Sequence, residues 1–264
     1  NDSKLSAVNV QQAAIRHGAQ FLFNAEVISV RQSKGCVAGV TLADRRQFDA
    51  PIVINVAGPH SFVINRLAGV EDGMNIKTRA LRHEVAHVPA PKGYDMSKAT
   101  VYSDSDIHTY SRPETGNNLL LGSEDPECDP QEWIEDPDAF DGNFTEQWKI
   151  MVMRMAQRLP GLGVPEHAKG VVGLYDVSDD WMPIYDKSDL PGFYMAVGTS
   201  GNQFKNAPVA GKIVAQLVTA CEKGHDHDKV PVTFHLENIN REISLGAFSR
   251  RREVNKNSSF SVIG

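Results

Sequence analysis

The chain has 264 residues, of which 41% are hydrophobic, 23% charged and 8% aromatic. These proportions exclude a disordered, collagen-like or coiled-coil chain. A net charge of −6 makes nucleic acid or an anionic membrane a poor partner, and no apolar run approaches the roughly 18 residues that span a bilayer. Cys36, Cys128 and Cys221 are too few and too scattered for a disulfide framework or a zinc site. The opening NDSKLSAVNV reads as neither a signal nor a transit peptide, so a reducing, cytoplasmic compartment is expected.

Residues 3–17 read as an amphipathic helix, capped by Ser3, with Leu5, Val8 and Ile15 near one face and Gly18 as its stop. Ala25 to Val30 alternates, residues 33–35 turn the chain, and Val37 to Leu42 returns as a partner strand. Gln47 and Phe48 begin a third segment. Residues 52–56 are almost continuously apolar, as in a strand covered on both faces, and Ala57-Gly58-Pro59 ends them. A short apolar helix follows over 60–69. Strands are predicted over 79–88, 100–103, 107–111 and 118–122, then an exposed, acidic, proline-rich connector over 123–143. Thr145 to Leu159 is a helix with Trp148, Met151, Met155 and Leu159 near one stripe. A strand over 170–175 and a buried strand over 193–198 lead into the polar loop 199–206. A helix then begins near Pro208, with Ile213, Val214, Leu217 and Val218 on its apolar face. The tail is polar and basic, with Ile243, Leu245, Phe248 and Phe260 as apolar anchors.

Two places share one design: IVINVAGPH (52–60) and FYMAVGTSGNQFK (193–205) each run an apolar strand straight into small residues. Ligands of open α/β sheets bind beyond the carboxyl ends of strands. Small residues let backbone N–H groups approach a ligand, and a helix N-terminus favours negative charge. A flavin or nucleotide suits both junctions; a tight strand-to-helix turn accounts for either one alone. Lys205 is a candidate for a substrate carboxylate or a flavin edge; read alone, a surface lysine is the better reading.

The run Gly198-Thr199-Ser200-Gly201-Asn202-Gln203-Phe204-Lys205, continued by Ala207-Pro208 and Gly211, resembles the flavin loop of the D-amino-acid oxidase, glycine oxidase and sarcosine oxidase or dehydrogenase family. Three further segments agree in order. Val53 to Pro59 resembles a family strand end. Gly173-Leu174-Tyr175, with Asp180 and Pro183-Ile184, resembles a second motif. Residues 3–30 resemble the family's central helix and the strand after it. The resemblance implies FAD as cofactor, with Val27 near the adenine and Ala57 and Gly58 on the ribose and pyrophosphate side. Gly198, Ser200, Gly201, Asn202, Gln203 and Phe204 would line the isoalloxazine, with backbone N–H groups aimed at its N1–C2=O2 edge. Lys205, Tyr110 and Arg112 would contact a small carboxylate-bearing amine, Arg112 as a bidentate clamp. Read alone, Arg112 is equally a surface arginine before a turn.

Four departures qualify that reading. The sequence contains no G-x-G-x-x-G, the element that holds the ADP moiety in this family. The expectation is therefore the C-terminal part of a longer enzyme or a subunit completed by a partner, with weak or absent FAD binding and a tendency to self-associate. Gly173 stands where covalently flavinylated relatives carry cysteine, which implies non-covalent FAD. Leu120 stands where monomeric sarcosine oxidases carry an oxygen-activating lysine, which leans towards a dehydrogenase passing electrons to another acceptor, or an oxidase with a different device. Asn202-Gln203 replaces the family's His-Gly.

Elsewhere, His225-Asp226-His227-Asp228 reads as a solvated loop rather than a metal site. His83 and His87 share one strand face and default to structural roles. The absence of a G-x-S-x-G elbow argues against a Ser-His-Asp hydrolase. The expected fold is α/β: a partial FAD-binding domain lacking its first βαβ unit, with a mixed, largely antiparallel substrate-domain sheet. The expected boundaries are 1–75 and 171–235 for the FAD-binding parts, 76–170 for the substrate domain and 236–264 for the tail. The expected activity is hydride transfer from the C–N carbon of a small amino acid or N-methyl amino acid to flavin. The alternative is a non-catalytic binding module.

Overall fold

The computed structural model describes residues 2–263. Asp2 rather than Ser3 caps α1 (Ser3–Arg16), its carboxylate accepting the Leu5 N–H at 2.9 Å. No α1 residue is buried, and Leu5, Val8, Val10 and Ile15 all stay exposed, so the expected apolar stripe is not packed away among the described residues. β1 (Val27–Ser33), β2 (Cys36–Leu42) and β3 (Gln47–Asp49) form an antiparallel sheet. Its first hairpin closes through Lys34 and Gly35, both at positive φ. β4 (Val53–Asn55) is shorter than its apolar run. Ile54 is 41% and Val56 66% exposed, so the prediction of a strand covered on both faces fails for the described residues. α2 (Ser61–Ala68) follows and stops at Gly69, whose φ of 67° is the left-handed conformation glycine adopts freely.

β5 (Thr78–Pro89), β6 (Tyr102–Asp104), β7 (Thr109–Glu114), β8 (Asn118–Ser123), β9 (Glu132–Ile134) and β10 (Gly170–Ser178) build a six-stranded antiparallel sheet. Its order is β10-β5-β8-β7-β6, with β9 also paired to β5. α3 (Glu146–Ala156), capped by Thr145, covers one face: Trp148, Met151, Val152 and Met155 pack on Ala86, Val88, Leu119 and Leu121. Side chains alternate across a strand. The pairing register therefore places His83, Tyr110, Arg112, Leu120, Gly173 and Tyr175 together on the other face. The connector 123–143 is less exposed than its charge suggested. It contributes β9, and Arg154 grips Asp129 through two hydrogen bonds of 2.6 Å. β10 pairs with β5 along its whole length, so the boundary expected at 170/171 falls within this sheet.

β11 (Ile184–Lys187) and β12 (Phe193–Val197) form a sheet with β4, in the order β11-β12-β4. α4 (Ala207–Glu222) buries Ile213, Val214 and Leu217 against Tyr185 and Tyr194 of this sheet. The tail carries a hairpin that the sequence analysis did not anticipate, β13 (Thr233–Leu236) with β14 (Arg241–Ser244). Beyond it Arg250, 0% exposed, pairs with Asp186 at 3.0 Å, Asp228 at 2.9 Å and Asp189 at 2.6 Å. This cluster corrects the reading of 225–228 as a solvated loop: His227 is 1% exposed, and Asp228 also holds Lys187 at 2.6 Å. Among the described residues no group of three or more His, Cys, Asp or Glu side chains is placed to hold a metal ion. No helix there is long and apolar enough to cross a membrane.

Candidate functional site

The two glycine junctions lie side by side. β4 and β12 pair in parallel, with Val53 opposite Phe193 and Asn55 opposite Met195, so both strands end at one edge. Asn55, 2% exposed, fixes the first junction: its amide nitrogen donates to the Ser61 carbonyl at 2.8 Å and to Asn65 Oδ1 at 2.9 Å. Its oxygen accepts the Ala57 N–H at 3.1 Å. The chain therefore turns from β4 into α2 without leaving a buried amide unpaired. At the second junction Gly198 and Gly201 take φ of 72° and 74°, and the loop runs into α4 with Pro208 in its first turn.

Between the junctions lies a cleft of about 780 Å³ lined by Ile54, Val56, Thr199, Gly201, Phe204 and Gly211 among others. At Gly58 and Gly211 no atom lies within 4 Å of where a Cβ would stand. A broad apolar cleft with bare backbone at its edge fits a flat ring system such as a flavin. Of the loop residues carried over from the family motif, Gly201, Gln203 and Phe204 line this cleft. Gly198 and Ser200 are buried beneath the loop, and Asn202 is not among the lining residues; Thr199, not singled out from the sequence, is. Ala57 is exposed and Gly58 half-buried at the end of β4. Val27 sits half-buried in the separate β1–β3 sheet and does not line the cleft. Lys205 is exposed, its Nζ donating to the Asn202 carbonyl at 3.0 Å.

The backbone donors are arranged differently from the expectation. The Gly198 N–H donates to Asp176 Oδ2 at 2.6 Å, the Ser200 N–H to the Asp176 carbonyl at 2.7 Å, and the Asn202 N–H to the Thr199 carbonyl at 3.1 Å. These three N–H groups are therefore not free to meet a cofactor edge. Asp176 is 1% exposed, and burial raises its carboxyl to about 7 against the pull of the Gly198 N–H. Its Oδ1 and the neighbouring hydroxyls of Ser61 and Thr78 are buried without a good hydrogen bond. An aspartate in the middle of a strand carries no sequence signal for this role, because its partner lies 22 residues away in the loop.

The open face of the six-stranded sheet meets the same loop. A Cβ at Gly201 would stand 2.7 Å from the Tyr175 ring, and one at Gly122 would stand 2.2 Å from the Tyr110 ring. The two tyrosines are thus seated in gaps left by glycines. Burial raises both phenols, Tyr175 well above its ordinary value, so both remain hydrogen-bond donors at neutral pH. The His83 ring stacks on Tyr175 at 4.2 Å between centroids. Arg112 is on the same face, exposed, with Glu114 3.1 Å away. Gly173 lies directly across from His83 with open space where a side chain would stand. Tyr110 and Arg112 are therefore brought together with Tyr175 and the Gly201 edge of the loop. Lys205 is not placed with them by any contact.

The profile of the FAD dependent oxidoreductase family matches residues 2–217, and the chain belongs to that family. Among curated proteins it is 27% identical over 187 residues to "FAD-dependent oxidoreductase domain-containing protein 1" of Bos taurus, covering 64% of this chain and 36% of the relative. It is 23% identical over 239 residues to the glycine oxidase of Geobacillus kaustophilus (strain HTA426), covering 89% of this chain and 58% of the relative. The chain thus spans little more than a third and rather more than half of these relatives. Among solved structures, iminodiacetate oxidase from Chelativorans sp. BNC1 superposes with a TM-score of 0.63 at 22% identity, over 82% of this chain and 55% of that one. The mixed α/β fold is accordingly the one seen in that family.

Proposed function

We propose that this protein, with FAD bound, oxidises the C–N bond of a small amino acid or N-methyl amino acid. The observation that carries this reading is the contact of Gly201 with the Tyr175 ring, which joins the apolar cleft to the face bearing Tyr110 and Arg112. FAD, when bound, supplies the hydride acceptor. Arg112 presents a guanidinium to a substrate carboxylate, in competition with Glu114. The buried phenols of Tyr110 and Tyr175 stay protonated and offer hydrogen-bond donors on the same face. Ile54, Val56 and Phe204 give the cleft apolar walls. The imine product hydrolyses once released to water.

In this reading FAD is held non-covalently, because Gly173 stands where covalently flavinylated relatives carry cysteine. Leu120 in place of lysine favours an electron acceptor other than oxygen. The exposed Ile54, Val56, Phe204 and α1 stripe favour completion of the site by a further segment or partner chain, without which these residues bind FAD weakly or act as a binding module. Three free cysteines, two of them exposed, suit a reducing compartment such as the cytoplasm.

The test is a titration of the purified protein with FAD, followed by anaerobic addition of glycine, sarcosine, L-proline and D-alanine. Bleaching of the oxidised flavin band by at least one amine is expected from the completed enzyme. A loaded flavin that none of them reduces would remove the amine reading. Tight, stoichiometric FAD on the 264 residues alone would remove the need for completion.

A further inference from the structure

The tail returns to the substrate face. Val262, 8% exposed, joins Leu81, Val177 and Trp181 in one apolar cluster, against which Tyr110, Trp133 and Tyr175 pack. Leu81 pairs with Tyr175, and Val177 lies two residues further along β10, so all three share the open face of the sheet. Val262 therefore covers the end of that face where the two phenols lie. Phe260, expected from the sequence to be the anchor, is instead 38% exposed, and Ile263 is exposed as well.

This contact differs from the rest of the tail in how it is held. Arg252 grips both oxygens of Asp180, at 2.6 and 2.8 Å, and the Asn255 N–H reaches the same carboxylate at 3.4 Å. Beyond that point the hydrogen bonds of residues 256–263, among the described residues, stay within 255–263. The Ser258 N–H donates to the Asn255 carbonyl at 3.0 Å, the Ser261 N–H to Ser259 Oγ at 3.2 Å and the Ile263 N–H to Ser261 Oγ at 3.5 Å. No ladder ties the segment to the sheet. A cavity of about 660 Å³, lined by His108, Cys128, Phe260 and Ile263 among others, borders it. Phe260 takes a φ of 49°, which bulky side chains rarely adopt, so the seated segment is strained.

We propose that residues 256–263 are a strap, hinged at Asn255 and latched by Val262, that lifts without unfolding the sheet and closes over an amine bound beside Tyr110 and Tyr175. The identity of that ligand rests on the amine reading above. A segment with no backbone bonds to its surroundings opens locally, well before the strands beneath it unfold. In the free protein one valine holds the strap down, against the strain at Phe260. A ligand that reaches the phenols adds contacts beneath the strap, binds the closed form better and so shifts the strap towards it. A tail that was simply part of the core would open only with the sheet and would not respond to a ligand.

The experiment is thiol labelling of three single variants of the full chain with iodoacetamide, with and without FAD, each site read by the mass of its own peptide. Val262→Cys puts a small apolar thiol at the latch. Phe260→Cys reports an exposed tail position, and Val177→Cys a buried strand position of the same cluster. The latch thiol should react at least about tenfold more slowly than the one at 260 and at least about tenfold faster than the one at 177. A latch as fast as position 260 means that the tail is not seated in solution, and one as slow as position 177 means that it is fixed core; either overturns the strap. Sarcosine should slow the latch thiol severalfold, while its binding is followed separately by the tyrosine difference spectrum. A sarcosine-induced tyrosine change with an unchanged or faster latch overturns closure over the ligand and leaves the amine reading standing. No tyrosine change with sarcosine removes the amine reading, and the three rates without ligand then decide the strap by themselves.

Discussion

Asp176→Asn separates the charge of the loop anchor from its shape. The folded carboxyl rises from an ordinary 3.8 to about 7, with burial as the leading cause. A folded value above the unfolded one means that the contribution to stability is fully present below about pH 4 and is lost as the pH rises through 7. Integrated over both values, the loss is about 2 kcal/mol by pH 5 and about 4 kcal/mol by pH 8, so about 2–3 kcal/mol disappears between them. Relaxation of the loop makes that an upper bound. Asparagine keeps an oxygen for the Gly198 N–H and cannot ionise, so this part of the slope should vanish. Urea unfolding of both proteins at pH 5 and pH 8 gives a double difference in which His227 and every other titrating group cancels. A wild-type protein whose stability falls between these pH values no more than that of the variant would refute the assignment of a neutral-range carboxyl to Asp176.

Arg250→Met should destabilise the fold by about 3–5 kcal/mol in the same denaturation assay, because it strands Asp186 and Asp228 in the protein interior; a loss under about 1 kcal/mol would mean that water reaches the cluster. Gly122→Ala should displace Tyr110, since the new Cβ would stand 2.2 Å from its ring. A cost of about 1–3 kcal/mol is expected, with a changed tyrosine signal in near-ultraviolet circular dichroism, and an unchanged spectrum would contradict the packing. Lys205→Ala should leave stability within about 0.5 kcal/mol, as for other exposed sites. Its effect on sarcosine affinity decides whether it belongs to the substrate site at all.

The two strand-to-glycine junctions were legible because both signals are local: an apolar run and the small residues that follow it. Their parallel pairing was not, since nothing in residues 52–58 encodes 193–198 as a neighbour. The α3 stripe was legible for the same local reason, and the open sheet face followed only once the β5–β8–β7 register was known. The tail was misread because Arg250 and Asp228 have the composition of a surface. Charged side chains are buried only where opposite charges converge, and here they converge from β11, the 225–228 loop and the tail. The flavin-loop residues were legible as a set, but which of their N–H groups remain free depends on Asp176, which no motif marks.

Tyr175 and Asp176 are consecutive on β10 and point to opposite faces, yet both reach the same loop: Tyr175 lies under Gly201, and Asp176 binds Gly198. The loop is therefore gripped across the strand, and a change at one grip is felt at the other. Gly201→Ala tests this. Its Cβ would meet the Tyr175 ring at 2.7 Å, and at φ 74° alanine also strains the backbone by about 1 kcal/mol. The clash adds roughly 1–3 kcal/mol. In a Tyr175→Ala background only the backbone cost should remain, so the two changes should be less than additive by the size of the clash. If the costs simply add, the ring and the loop do not touch in solution. The bridge between cleft and substrate face would then be lost, and with it the main support for reading the two as one site.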